Sequence, residues 1–162
     1  MNVKDIITGL ALSILLSSGM AVAADYDKGT IALDSGDYKA ALVEFIPLAE
    51  QGAAYAQADL GYMYEFGYGV LKNYKTAVKW YTLAAEQGHA SGQNNLGLMY
   101  QYGKGVLTDT KRAYMWYSLA SYNGNEKASK NKDKIAKDMT SAQIDKAQDM
   151  SSRCLNSGYT DC

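Results

Sequence analysis

The chain has 162 residues, and its 16 Lys and Arg against 17 Asp and Glu give a formal net charge of −1 at pH 7. Because no basic excess is present to neutralise phosphates, nucleic acid is not an expected partner. The one histidine, His89, lies at a predicted turn and has no second histidine to join it. We therefore expect neither a Ser-His-Asp arrangement nor a histidine-rich metal site.

The first 24 residues are predicted to be a secretory signal peptide. Lys4 precedes an apolar stretch, Ile6–Leu16, and the small residues Ala21–Ala24 close the segment, which is the three-part layout of such peptides. A transmembrane anchor is the alternative, but the apolar run is shorter than the roughly 20 residues that span a bilayer. No cysteine follows the small residues, as one would in a lipoprotein. We expect cleavage before Ala24 or Asp25 and export to the periplasm, with secretion as the alternative, and no transmembrane anchor in the mature chain.

Residues 54–125 consist of a 36-residue unit that occurs twice. Ala54–His89 and Ala90–Asn125 are identical at 17 of 36 positions without a gap, whereas unrelated segments of ordinary composition share about 2 or 3. Asp37–Gly52 also matches Asn73–Gly88, the second half of the unit. A fixed period in the thirties predicts stacked supersecondary units, each of which buries its apolar face against its neighbours. Such arrays usually bind other molecules.

Each unit is predicted to be a hairpin of two helices. Ala56, Leu60 and Met63 recur at helical spacing in the first arm, and the glycines at positions 67 and 69 then end that helix. In the loop, Val70-Leu71 and Val106-Leu107 are expected to form a buried plug. The second arm opens at a good helix N-cap, which is Asp37, Asn73 or Asp109 in the three copies, and Gly88 and Gly124 end it.

Residues 126–162 are predicted to form a C-terminal cap. A lysine-rich helix is expected over Glu126–Asp138, and Thr140 with Gln143 forms a capping box for the helix that follows. Cys154 and Cys162 are the only cysteines, and in an exported chain a pair this close predicts a disulfide. Two free thiols are the alternative. Metal binding is disfavoured because Zn²⁺ needs four ligands and the histidine is far away in sequence.

The residues that the two copies share resemble the Sel1-like repeat, a relative of the tetratricopeptide repeat. The pattern is A-x-x-x-L-G-x-M-Y-x-x-G-x-G-V-x-x-[ND]-x-x-x-A-x-x-W-Y-x-x-A-A-x-x-G, and Met139–Cys154 is similar to the helix that commonly ends bacterial members. The resemblance implies an all-α fold, a short α-solenoid of helical hairpins with a C-terminal capping helix pair. Pro47 departs from the pattern and is expected to kink or end its helix near Ile46.

These features divide the chain into a signal peptide, residues 1–24, and a single repeat domain, residues 25–162. Within the domain we expect a partial N-terminal repeat over residues 25–53, full repeats over residues 54–89 and 90–125, and the C-terminal cap over residues 126–162. We expect the domain to be monomeric.

Positions that differ between the two copies are the candidates for ligand contact. On the first helix of each unit they fall on one face, and the resemblance implies that this face lines a concave groove. The candidates are Tyr55, Asp59, Tyr62 and Glu65 in the first copy, and Ser91, Asn94, Asn95, Leu98 and Gln101 in the second. Asparagine both donates and accepts, which suits an extended peptide backbone, and tyrosine offers rigid contact area. The alternative is ordinary variation on a solvent-exposed face.

The first functional hypothesis is an exported module that binds a peptide or protein segment, without a cofactor, metal or catalytic residue. The second is an enzyme that acts on cell-wall material or β-lactams, since Ser129 and Lys132 match the S-x-x-K of penicillin-recognising enzymes. The Ser-Asp-Asn and Lys-Thr-Gly partners of that motif do not occur. The cysteine-rich Sel1-like branch associated with β-lactams carries a cysteine pair in each repeat, which this chain lacks. The third hypothesis is a structural inhibitor or stabiliser of one obligate partner.

Overall fold

The structure is a computed structural model that describes residues 24–162. The predicted signal peptide therefore lies, except for Ala24, outside the described residues. Eight helices run through the described part, with no strand among them: α1 (Tyr26–Ser35), α2 (Tyr38–Glu50), α3 (Ala54–Phe66), α4 (Tyr74–Ala85), α5 (Ala90–Tyr102), α6 (Thr110–Tyr122), α7 (Glu126–Ala136) and α8 (Ser141–Asn156). None of these helices combines the length and the apolar character that crossing a membrane requires.

The helices stack as successive hairpins. The pairs α1–α2, α3–α4 and α5–α6 each pack internally, and the second helix of each pair packs on the first helix of the next. Helices α7 and α8 both pack on α6 and close the stack at its C-terminal end. The prediction of an all-α short solenoid with a C-terminal capping pair is confirmed.

The predicted helix starts are capped by side chains. In α2, α4 and α6, a side-chain oxygen of the N-cap residue accepts hydrogen bonds from backbone N–H groups of the first turn; these residues are Asp37, Asn73 and Asp109. Both hydrogen bonds of the Thr140–Gln143 capping box are present at α8. The N-caps at these four helix starts were therefore predictable from local sequence.

The loop inside each repeat differs from the expected buried Val-Leu plug. The two loops are fixed by equivalent backbone hydrogen bonds, of which one joins the N–H of Asn73 to the carbonyl of Tyr64 over 2.9 Å. Val106 packs against the core, whereas Leu71 and Leu107 are 92% and 90% exposed. Neighbouring side chains of an extended segment point to opposite sides, so in the second loop Val106 turns inward and Leu107 outward. The expectation of a buried Val-Leu plug is wrong for both leucines.

Pro47 does not end its helix where predicted. Helix α2 continues through Pro47 to Glu50, so of the two expected outcomes, a kink or an end near Ile46, the end is wrong. A proline inside a helix removes the hydrogen bond to the carbonyl four residues earlier, which here belongs to Val43. The Val43 side chain is 70% exposed, so this carbonyl lies on the side of α2 where water can satisfy it.

Two fully buried tyrosines organise the core of the repeats. Tyr81 and Tyr117 lie over Gly61 and Gly97, where an added Cβ would come within 2.5 and 2.7 Å of the ring. The glycine of the Leu-Gly pair in each repeat is therefore required by close packing of the hairpin.

The C-terminal tail bridges the ends of two repeats. A disulfide joins Cys154 and Cys162, whose Cα atoms are 4.7 Å apart. Within the loop that it closes, the hydroxyl of Tyr159 donates to Oδ1 of Asn123 (3.2 Å) and accepts from its Nδ2 (2.9 Å). The Tyr159 ring lies against Gly88 at the end of the preceding repeat. The tail therefore contacts the turns that follow α4 and α6.

Candidate functional site

The predicted groove residues lie on two neighbouring first helices, α3 and α5, and differ widely in exposure. Ser91 and Tyr55 are exposed, whereas Glu65 and Asn94 each retain only 7% exposure. The other candidates are half-buried: Asp59, Tyr62, Asn95, Leu98 and Gln101. Leu98 packs against the core that α6, α7 and α8 form together. The candidates therefore divide into surface positions and positions occupied by internal contacts.

Glu65 and Gln101 occupy equivalent positions and make equivalent internal hydrogen bonds. Glu65 Oε2 accepts from the Tyr81 hydroxyl over 3.0 Å, and Gln101 Oε1 accepts from that of Tyr117. Burial, followed by the negative charge of Glu65, raises the pKa of Tyr81 well above its ordinary value. Glu65 also forms a 2.9 Å ion pair with Lys104 of the next repeat. Both side chains are thus engaged in holding hairpins together.

Helix α1 covers part of the first-copy candidates. The Tyr26 hydroxyl donates to Oδ2 of Asp59 over 2.9 Å, and the Tyr26 and Tyr55 rings meet edge-on at 4.4 Å. Burial raises the pKa of Asp59 above its ordinary value, although the Tyr26 hydrogen bond opposes the shift. Asp59 is therefore less available to a ligand than its place in the sequence suggests.

Tyr62 belongs to an aromatic cluster at the C-terminal end of α3. Its ring centroid lies 4.7 Å from that of Phe66 and 5.6 Å from that of Tyr68. The Tyr68 ring stacks on that of Tyr38 at 4.5 Å, with their planes 6° apart. These mutual contacts explain the partial burial of Tyr62.

Three of the second-copy candidates line an open polar cleft of about 500 Å³ between the starts of α5 and α7. The lining residues are Ser91, Asn94, Asn95, Asn125, Glu126 and Lys127. The last three were not among the predicted site residues. Extending the 36-residue period beyond residue 125 could have identified two of them. It places Asn125 and Lys127 at the positions equivalent to His89 and Ser91, and Ser91 was already a candidate.

The cleft has a fixed wall and an exposed rim. Asn94 Nδ2 donates to Oδ1 of Asn95 (3.2 Å), and Asn94 Oδ1 accepts from Nδ2 of Asn131 (3.0 Å), which links α5 to α7. Asn125 caps α7 by accepting from the N–H of Ala128. The exposed side chains of Glu126 and Lys127 bring opposite charges to the rim. Such a cleft can offer hydrogen-bond donors, acceptors and both signs of charge to a ligand.

The described residues contain no arrangement typical of a metal centre or of nucleophilic catalysis. No group of three or more His, Cys, Asp and Glu side chains within residues 24–162 could hold a metal ion. Ser129 and Lys132 both lie on α7. Among the hydrogen bonds of the described residues, none joins these two side chains, so the S-x-x-K match has no geometric support.

The chain is similar to known proteins in sequence and in fold. The Sel1 repeat family model matches residues 54–89 and 90–125. A protective antigen present in uropathogenic Escherichia coli strains, whose crystal structure displays an SLR fold, is 30% identical over 83% of this chain, with a TM-score of 0.78. A Sel1 repeat protein from Oxalobacter formigenes is 34% identical over 67% of this chain, with a TM-score of 0.64. The matches span 30% and 44% of those two chains. No curated protein is significantly similar.

Proposed function

Since the chain is a Sel1-like repeat protein, we propose that it is an exported interaction module that binds a peptide or protein segment at the cleft between α5 and α7. The Sel1 repeat is generally a module for protein–protein interaction. What this particular chain binds, and where, is the content of the proposal. Of the residues predicted to line a peptide groove, the proposed site keeps Ser91, Asn94 and Asn95 of the second copy.

One observation carries the proposal. The cleft combines an exposed hydroxyl (Ser91), the half-buried amide of Asn95 and two exposed charges (Glu126 and Lys127) around one concavity. The buried amide of Asn94 forms part of its wall. A peptide backbone alternates N–H donors with carbonyl acceptors, and an amide side chain can satisfy both. The hydrogen bonds that fix Asn94 hold the wall in place before any ligand arrives, which lowers the entropy cost of binding.

The size of the cleft limits the expected affinity. A cleft of about 500 Å³ holds a few residues of a peptide and buries much less area than a standard protein interface. We therefore expect dissociation constants in roughly the micromolar range for isolated peptides. Tighter binding would need a second contact surface on the same partner.

Export of the protein is the second part of the proposal. The disulfide between Cys154 and Cys162 fits an oxidising compartment, and the predicted leader supplies the route. Fractionation of the native cells with N-terminal sequencing should find a chain that begins at Ala24 or Asp25 in the exported fraction. Recovery of the uncleaved chain from the reducing cytosol would contradict export.

Peptide selection tests the cleft directly. We would select from a random peptide library on residues 25–162 and measure affinities by fluorescence anisotropy for wild type and Ser91→Arg, which introduces a long side chain from an exposed position of the cleft. The selected peptides should bind the variant at least roughly tenfold more weakly. Ser152→Arg, at an exposed position of α8, is the matched control and should bind like wild type.

Two results would contradict the cleft as the binding site. Peptides that bind Ser91→Arg as tightly as wild type would place the site elsewhere on the molecule. A library that yields no peptide specific for the wild-type domain would remove the support for an extended peptide as ligand.

A further inference from the structure

The edge of the solenoid that carries the loops between the two helices of each repeat exposes two leucines. Leu71 and Leu107 occupy the same position of both repeats, and their exposed fractions are 92% and 90%. The last residues of the first helices, Phe66 and Tyr102, lie at the same edge and are 45% and 58% exposed. A single exposed leucine is ordinary, but repetition of the same aliphatic and aromatic pair along one edge forms a surface.

The leucines are held outward by ordered loops. In the first repeat, the N–H of Tyr68 donates to the carbonyl of Met63 over 2.9 Å, and a second backbone hydrogen bond ties Asn73 to the end of α3. The equivalent hydrogen bonds hold the second loop, where Val106 packs inward. The exposure of Leu107 is therefore fixed by the backbone.

The same edge is basic. The loops of the two full repeats, residues 67–76 and 103–112, contain five cationic side chains and one anionic one: Lys72, Lys75, Lys104, Lys111, Arg112 and Asp109. Lys104 pairs with Glu65 and Arg112 with Asp109. Within the described part of the chain, the remaining three lysines form no salt bridge and are available to anions outside the molecule. The loop between α1 and α2, with the residues beside it, adds Asp34, Asp37 and Lys39, so the positive excess of this edge comes from the two full repeats.

The opposite edge has the reverse charge. The turns between successive hairpins, residues 50–54, 86–90 and 122–126, contain Glu50, Glu86 and Glu126 and no Lys or Arg. All three glutamates are exposed. The two full repeats therefore carry a basic edge with protruding leucines, and the opposite edge of the solenoid is acidic.

We propose that the basic edge docks on an anionic lipid surface, with Leu71 and Leu107 entering the interface and Lys72, Lys75 and Lys111 contacting headgroups. Aliphatic side chains flanked by cations bind such surfaces by combining apolar burial with attraction to acidic lipids. The ring of a tyrosine such as Tyr102 prefers the level of the headgroups. A fluid lipid interface accepts two protruding leucines without a matching pocket for each, which a protein partner would have to provide.

Docking in this orientation leaves the candidate peptide cleft accessible. The cleft lies at the starts of α5 and α7, which belong to the acidic edge, one helix length from the loops. A membrane-bound molecule would therefore present the cleft to partners away from the lipid. The docking surface and the cleft are independent, and either proposal can fail without the other.

Vesicle co-sedimentation tests the docking surface. Residues 25–162 contain every residue of the three core clusters and avoid the apolar leader, so this form is used after circular dichroism has verified its folding. It should partition onto vesicles of phosphatidylglycerol and phosphatidylcholine, and its binding should fall as salt rises. Pure phosphatidylcholine should bind little. The double variant Leu71→Ser/Leu107→Ser should bind roughly tenfold more weakly.

The controls separate this edge from general hydrophobicity. Ile31→Ser/Val43→Ser removes two aliphatic side chains that are 69% and 70% exposed elsewhere on the surface, and it should bind like wild type. Lys72→Gln/Lys75→Gln/Lys111→Gln should bind more weakly with a flatter salt dependence. The proposal is overturned if wild type ignores acidic vesicles at low salt, or if the leucine variant binds unchanged. It is also overturned if the Ile31/Val43 control loses as much binding as the leucine variant.

Discussion

The side chains that join successive hairpins are polar and largely buried. Gln57 and Gln93, which are equivalent in the two repeats, each donate from Nε2 to a carbonyl at the end of the preceding hairpin, over 3.1 Å in both cases. Each also accepts a hydrogen bond from the turn after its own hairpin, from Gln87 or Asn123. A buried amide that both donates and accepts hydrogen bonds fixes the relative position of two hairpins more strictly than apolar contacts do. At the residue scale, these two glutamines add specific hydrogen bonds to the apolar packing between successive hairpins.

Removal of the Lys104 charge should destabilise the protein more than removal of the charge of its ion-pair partner, Glu65. Lys104→Met leaves the Glu65 side chain, which is only 9% exposed, without its cation, and we expect a loss of about 2 kcal/mol of unfolding free energy. Glu65→Gln should cost only about 1 kcal/mol, because glutamine can accept from Tyr81 as Gln101 does from Tyr117, and Lys104 can reach water. Urea unfolding of both single variants measures the two costs, and the reverse order would contradict this account.

His89 should make stability depend on pH. Its Nδ1 caps α5 by accepting from the N–H of Gly92, and burial lowers the pKa of His89 below the ordinary 6.5. Below pH 6.5 the folded protein therefore binds fewer protons than the unfolded chain. The stabilisation that the His89 cap provides is complete above pH 6.5 and is lost as the pH falls towards the pKa of His89 in the folded protein. We expect protonation of His89 to lower the free energy of unfolding by about 1 kcal/mol.

The matched variant for this prediction is His89→Asn, since Asn125 caps α7 at the equivalent position. Its unfolding free energy, measured in urea between pH 7 and 5, should fall less than that of wild type. Parallel pH profiles for the two proteins would show that His89 contributes no pH dependence.

At the scale of elements, the loop inside each repeat also contacts the preceding hairpin. Gly69 and Gly105 approach the first residues of α2 and α4, and a Cβ at Gly105 would lie 2.5 Å from the carbonyl carbon of Tyr74. Lys104, beside it, lies 5.5 Å from the centre of the Tyr74 ring. The loop therefore aligns one hairpin on the next, and glycine is needed both for a positive φ and for this approach.

Substitution of two glycines should separate these two requirements. Gly105 and Gly124 both have positive φ, 73° and 90°, but a Cβ at Gly124 meets no atom within 4 Å. We expect Gly124→Ala to cost about 1 kcal/mol from backbone strain alone. Gly105→Ala should cost about 3 kcal/mol, because the loop must also move away from α4. Thermal unfolding compares the two variants, and equal losses would exclude the close approach as a constraint.

At the scale of the whole molecule, the C-terminal tail ties the stack together across repeats. Cys154 is fully buried in the cluster that includes Tyr81 of α4 and Trp116 of α6. Tyr159 then reaches the turns after both repeats through Gly88 and Asn123. A solenoid whose units contact only their neighbours can unfold unit by unit, and this tail opposes that by linking two units.

Opening the tail should therefore destabilise both repeats together. Cys162→Ser removes the disulfide, and we expect a loss of up to about 2–3 kcal/mol for a loop of this size. Trp80 lies in α4 and Trp116 in α6, so Trp80→Phe and Trp116→Phe backgrounds report the two repeats separately by fluorescence. Their urea midpoints should shift equally. A shift of the Trp116 signal alone would confine the effect of the tail to the last repeat.

The sequence alone determined the repeat period, the hairpin, and the N-caps at Asp37, Asn73, Asp109 and Thr140, because helix periodicity, capping and glycine turns depend on residues near each other in the chain. It also brought Ser91, Asn94 and Asn95 into the candidate set through the difference between the copies. Comparison of the copies did not show that Glu65 and Gln101 are engaged by buried tyrosines.

Only the tertiary structure decided which polar residues remain available to a ligand. Asp59 is covered by α1, Asn94 is held by Asn131 of α7, and the cleft requires the start of α7 as its second wall. The same holds for Leu71 and Leu107, which were expected to be buried with the neighbouring valines although their loops turn them outward. Burial depends on contacts between helices that are distant in sequence, and a pattern inside one repeat contains no information about what the neighbouring hairpin places against it.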